Sequence, residues 1–159
     1  MHKSTENDEG RVAATAAGVR RRCQAGAVAT GSARRLGALL TAVGAVASFE
    51  GARGVLQGAR QVVDGGPVSA NVDSEYRFYS AWYAVLGVLV LGAARHPERE
   101  ARVIRATAAG FLAAACGRAL SARSAGPPHP LQRALMAVEF ALPAVLVPWQ
   151  ARVARSRAN

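Results

Sequence analysis

Six ionisable residues lie inside or at the rims of apolar stretches, and their chemistry needs explaining first: Glu50, Arg53, Glu75, Arg77, Arg118 and Glu139. Three carboxylates and three guanidinium groups sum to zero charge. An ionised side chain at the middle of a bilayer costs roughly 2.5–3.5 kcal/mol on insertion scales, so such groups face a bundle interior and find partners there. Two chemistries suit the set. A closed ion-pair network would fix helix packing and register. Alternatively, a cavity whose apolar walls disfavour the charge of one carboxylate would create a titrating group, Glu139 or Glu50, with Arg118 and Arg77 as anion contacts. Glu50 and Arg53, three residues apart on one helical face, can also pair locally.

Aromatic residues adjoin this set. Tyr76, Phe78, Tyr79, Trp82 and Tyr83 fall within eight positions. They suit an interface belt at the lipid headgroups. A ligand-facing aromatic wall is the other reading, because Phe78 and Trp82 share one helical face and Tyr76 and Tyr83 another.

Helices must position these groups. Four stretches, 36–57, 76–94, 103–121 and 132–150, are long enough to cross about 30 Å of hydrocarbon at about 1.5 Å per residue. The sequence therefore predicts an all-α fold, a four-helix transmembrane bundle over residues 36–150. A disordered basic tail is expected over 1–35 and a short basic tail over 151–159. Residues 1–35 carry too few large apolar side chains to offset the entropy of ordering them. Asp64-Gly65-Gly66-Pro67 ends the first helix, and Asp73 or Ser74 suits a cap for the second. Pro97 fits the first turn of the third, and Gly126-Pro127-Pro128-His129-Pro130 forces a link before the fourth. Small residues at four-residue spacing, such as Gly37-Thr41-Ala45 and Ala106-Gly110-Ala114, would allow close helix contact. On these spans Glu50 and Glu139 each lie seven residues from the outer end of their helix, about 10 Å deep. Pro143 and Pro148 are expected to kink the fourth helix.

The charge balance reads as topology. The 159 residues carry 20 Lys+Arg against 10 Asp+Glu, a net charge of +10. Fourteen basic residues fall in the two tails and the middle loop, and only Arg60, Arg77, Arg123 and Arg133 on the opposite side. By the positive-inside rule both termini are cytoplasmic and the protein is multi-pass in the cell membrane. A soluble basic helical protein binding nucleic acid is the competing class, but the arginines gather at helix ends rather than along a face, so no nucleic acid is expected. Arg usage with abundant Ala and Gly points to a GC-rich, bacterial coding sequence.

Cys23 and Cys116 recommend neither a disulfide nor a metal site, and His2, His96 and His129 are scattered, so no metal and no cofactor is expected. No nucleophile with a neighbouring base and no phosphate loop occurs. Nothing demands an enzyme, although acid–base chemistry at paired carboxylates stays open. The expected partner is the lipid bilayer, with a small molecule or lipid at the polar cluster, and a homo-oligomer or membrane partner, as further alternatives.

The string Val72-Asp73-Ser74-Glu75-Tyr76-Arg77-Phe78 at the head of an aromatic span, Gly110 to Arg118 in the third span, and Glu139 followed by Pro143 in the fourth resemble the bacterial four-helix membrane family filed as domain of unknown function 4345. The resemblance covers about residues 36–150. It implies a small integral membrane protein in which Glu75, Arg77, Arg118 and Glu139 match the family pattern, and it implies no established activity. Glu50, Arg53 and the N-terminal tail are not matched to it. The function expected is a structural or accessory one, with lipid or small-molecule binding or transport as the alternative.

Overall fold

A computed structural model describes the backbone of residues 3–62 and 66–158 and the side chains of residues 30–62 and 66–157. The described chain forms four helices, α1 (Lys3–Gln57), α2 (Ala70–Ala93), α3 (Ala101–Ala125) and α4 (Pro130–Ala158), with a 3-10 turn over Gly58–Gln61. Of the expected disordered tail, the side chains of residues 1–29 lie outside the described residues. From Thr30 to Arg35 the chain is helix packed on the bundle, because Ser32 accepts a 2.9 Å hydrogen bond from Trp149 Nε1 and Ala33 joins the core.

Three segments are long and apolar enough to cross a membrane: Thr30–Gln61, Ala101–Ala125 and Pro130–Arg157. The stretch expected at 76–94 is helical throughout its length to Ala93 but is not among them. Its first half is the reason, because Asp73, Glu75 and Arg77 are charged and the aromatic run has polar tips. Outward faces of all four helices are nonetheless apolar. Val46 and Phe49 on α1, Val88 and Leu89 on α2, Leu112 and Leu120 on α3, and Val138 and Phe140 on α4 are all exposed. A water-soluble bundle would turn such residues inward, whereas lipid is their natural solvent.

Helix α1 and helix α2 form a hairpin whose seam is made of backbone. Gly37, Gly44, Gly51 and Gly58 recur every seven residues, and a Cβ at each would meet Ala94 O at 2.7 Å, Gly87 O at 2.8 Å, the Ala84 backbone nitrogen and the Asp73 carboxylate respectively. Ser80 lies against Gly51 as well, through its carbonyl oxygen at 2.7 Å. Seven residues forward on α1 thus correspond to seven back on α2, from Ala94 through Gly87 and Ser80 to Asp73. A seven-residue repeat keeps a seam facing its partner when two helices coil left-handedly about each other.

The apolar core fills the half of the bundle that holds the α2–α3 connection. Leu36, Leu40, Val90, Ile104, Leu146 and Val153 are buried together, drawing on all four helices. At this end the α2–α3 turn is clasped by α4. Glu98 is almost fully enclosed and takes an ion pair from Arg157, with His96 Nδ1 3.9 Å from the same carboxylate oxygen. Pro97 lies in that turn and not in the first turn of α3, which begins four residues later. Pro130 does occupy the first position of α4, where its missing N–H costs nothing, and the preceding His129 Nδ1 accepts the Leu131 N–H at 3.2 Å.

The seam is testable by asking where a methyl group fits. Gly51→Ala would drive its Cβ into backbone atoms that cannot swing aside, and overpacking of this kind costs about 1–3 kcal/mol. Gly110→Ala meets nothing within 4 Å and removes a helix-weakening glycine, a gain of about 0.5–1 kcal/mol. Thermal unfolding of the two variants in the same detergent should therefore move in opposite directions.

Candidate functional site

The charged groups of the other half of the bundle fall into three local closures. The first joins α3 to α4. Arg118 Nε donates to both carboxylate oxygens of Glu139, at 3.1 and 2.9 Å, and Arg118 Nη1 donates to Gln132 Oε1 at 2.6 Å. Glu139 is buried, its side chain only 12% exposed, so the guanidinium supplies what water would otherwise provide. Gln132 was not among the residues singled out from sequence, since an uncharged amide near a helix start carries no signal of its own.

The second closure is local to α1. Arg53 donates to Glu50 Oε2 through Nε at 3.1 Å and Nη2 at 2.8 Å, the i,i+3 pairing that their spacing allows. Both side chains are about 40% exposed. Across the seam, Glu50 stands level with the Ser80–Ala84 turn of α2.

The third closure is at the head of the hairpin, one to two helical turns beyond Glu50. Arg77 Nε donates to Asp73 Oδ2 at 2.7 Å, while its Nη1 caps the end of α1 by donating to the carbonyls of Val55 and Leu56. Asp73 Oδ1 accepts the Ala59 N–H at 2.8 Å. This contact needs Gly58, whose positive φ of 69° turns the chain under the carboxylate where a side chain would collide with it. Gln61 Nε2 donates to the Tyr76 hydroxyl at 2.9 Å and completes the clasp.

The cap expected at Asp73 or Ser74 is instead Ser69, whose hydroxyl accepts the Val72 N–H at 3.3 Å. The helix starts earlier because Ser69 precedes a run that can already be helical, which frees Asp73 to bond across to α1. Glu75, two residues on, points to the opposite face. It is exposed and makes no ion pair among the described residues. Of the six residues selected from sequence, Arg118 with Glu139 and Glu50 with Arg53 are therefore brought together, Arg77 is joined to Asp73, and Glu75 stands apart.

The aromatic residues divide in the same way. Phe78, Tyr79 and Trp82 are exposed and stack edge-to-face, Phe78 to Tyr79 at 5.4 Å and Phe78 to Trp82 at 6.4 Å. Tyr76 turns inward, its hydroxyl accepting from Gln61 Nε2.

Residues 35–150 match the family model described as a domain of unknown function, DUF4345. The chain belongs to this family. The match spans all four helices and ends at Gln150, within α4, so it contains each of the three closures. No curated protein and no solved structure matches.

Of these groups Asp73 yields a pH signature. The hydrogen bond from Arg77, followed by that from the Ala59 N–H, holds its carboxyl below the usual carboxylate range. A carboxyl with a lowered folded-state pKa stabilises the fold above its ordinary pKa of about 3.9, and this is lost as pH falls through the lowered value. Parent protein should lose thermal stability over that acid window, while Asp73→Asn should start lower at neutral pH and show a flatter acid limb.

Proposed function

We propose that this DUF4345 protein is a structural or accessory component of the cell membrane, crossing it four times with both termini in the cytoplasm. In this role its ionic groups hold the bundle together and do not turn over a substrate. The observation that carries the reading is closure: Glu50, Asp73 and Glu139 each have an arginine within hydrogen-bonding distance. Each of these carboxylates is engaged with a neighbouring guanidinium, as the members of a structural ion pair are.

Four crossings are supported by the seam. A helix whose backbone lies against α1 along its length inserts with it, although its head is polar. The aromatic trio Phe78, Tyr79 and Trp82 would then sit at the outer headgroups, as amphipathic rings do. Arg118 and Glu139 would tie α3 to α4 below that level. The fourteen basic residues on the terminal side are the support for the cytoplasmic orientation.

A tie between charges of unequal burial predicts unequal damage. Arg118→Met leaves a buried carboxylate unpaired and should cost about 3 kcal/mol, whereas Glu139→Gln leaves a guanidinium that is 39% exposed and keeps Gln132, and should cost about 1 kcal/mol. The exchange of Arg118→Glu with Glu139→Arg should recover part of the loss. Unfolding measured in lipid nanodiscs tests this; single variants as stable as the parent would remove the structural role.

A further inference from the structure

The closures account for Arg53, Arg77 and Arg118, and the clasp with Glu98 accounts for Arg157. Eight arginines at the terminal end of the bundle are left over, four of them around the α2–α3 turn. Arg152 and Arg155 on α4 are among them, exposed and without an ion pair among the described residues. Such an uncompensated positive rim recommends an anionic counterpart.

A groove lies beside that rim. It has a volume of about 370 Å³, opens to the outside between α1 and α4, and is lined by Ser32, Ala144, Val145, Pro148, Trp149 and Arg152. Its wall is built, because the Trp149 indole is pinned by its N–H donating to Ser32 Oγ at 2.9 Å. Along α4 the groove runs from Arg152 down to Ala144, about 12 Å at the helical rise. One end is thus cationic. The other is apolar, with Val145 and Pro148 exposed to the surroundings.

A ligand matching this axis has a negative head and a hydrocarbon tail. We infer that the α1–α4 groove is a binding site for one anionic phospholipid, its phosphate on Arg152 and the start of an acyl chain along Val145 and Pro148, against the Trp149 ring. Arg155, three residues beyond Arg152 on the same helical face, adds attraction at headgroup level. A free anion would use the charged end only and leave the apolar floor empty. The site needs the membrane setting of these helices, but not a structural role for the Arg118–Glu139 tie, which lies in the opposite half of the bundle.

The test uses the full chain, purified in detergent, stripped of lipid and titrated with phosphatidylglycerol or phosphatidylcholine while adducts are followed by native mass spectrometry. Phosphatidylglycerol should add as a single tight adduct in preference to phosphatidylcholine. Arg152→Gln should weaken it about fivefold, the weight of one basic residue at a charged lipid surface, and leave phosphatidylcholine unchanged. Val145→Trp, at an exposed position where folding tolerates bulk, should fill the floor and weaken both lipids without altering charge. Equal binding of the two lipids would overturn the proposal, as would indifference of the adduct to both substitutions. Inorganic phosphate that displaced the lipid fully would do so too, since it would reveal a simple anion site.

Discussion

The bundle depends on one constraint, the approach of two helix backbones with no side chain between them. At Gly44 and Gly51 the space that a Cβ would occupy is already taken by backbone atoms of Gly87 and Ala84. In lipid, hydrophobic burial gives no net drive for helices to associate, so van der Waals packing between surfaces this close supplies it. The seam also sets register. Once Gly37 lies on Ala94 and Gly51 on Ser80 and Ala84, Gly58 is delivered to Asp73, and the polar clasp at the head of the hairpin can close.

From that register the distribution of polarity follows. The half of the bundle near the termini is an apolar core drawn from all four helices, closed at its end by the Glu98–Arg157 pair, and the other half holds the Glu50–Arg53, Asp73–Arg77 and Arg118–Glu139 pairs. Each closure performs a specific duty. Asp73 and Arg77 satisfy an N–H and two carbonyls left over where α1 ends, groups that would otherwise be costly near hydrocarbon. Arg118 and Glu139 join the second helix pair, α3 and α4, which has no glycine seam of comparable closeness. Gly110 and Gly117 of α3 face open space.

Much of this was readable in the sequence, and the limits have physical causes. Span positions followed from the lengths of apolar runs, and the Glu50–Arg53 pair from its spacing. The Asp73–Arg77 pair carried an i,i+4 signal of the same kind, obscured because Asp73 resembled a helix cap. Glu75 was chosen for its charge, yet two residues from Asp73 on a helix means the far side, away from α1. The glycines of α1 were visible at four-residue spacing only where chance also produces it, whereas the seven-residue period that organises the seam spans three heptads and gains meaning only against its partner. The pairing of Arg118 with Gln132, between α3 and α4, and of Arg157 with Glu98, between α4 and the α2–α3 turn, depends on how separate elements pack, which no local pattern encodes.

Residues of α2 carry charge and aromatic hydroxyls enough to keep that helix out of the set recognised by length and apolarity. On the proposal of four crossings it enters the membrane with α1, whose backbone it lies against. Reporters of compartment fused separately to the two ends of the chain measure this directly. Crossing by all four helices places both ends on the same, cytoplasmic side; ends found on opposite sides of the membrane would mean an odd number of crossings and would contradict the hairpin as an inserting unit.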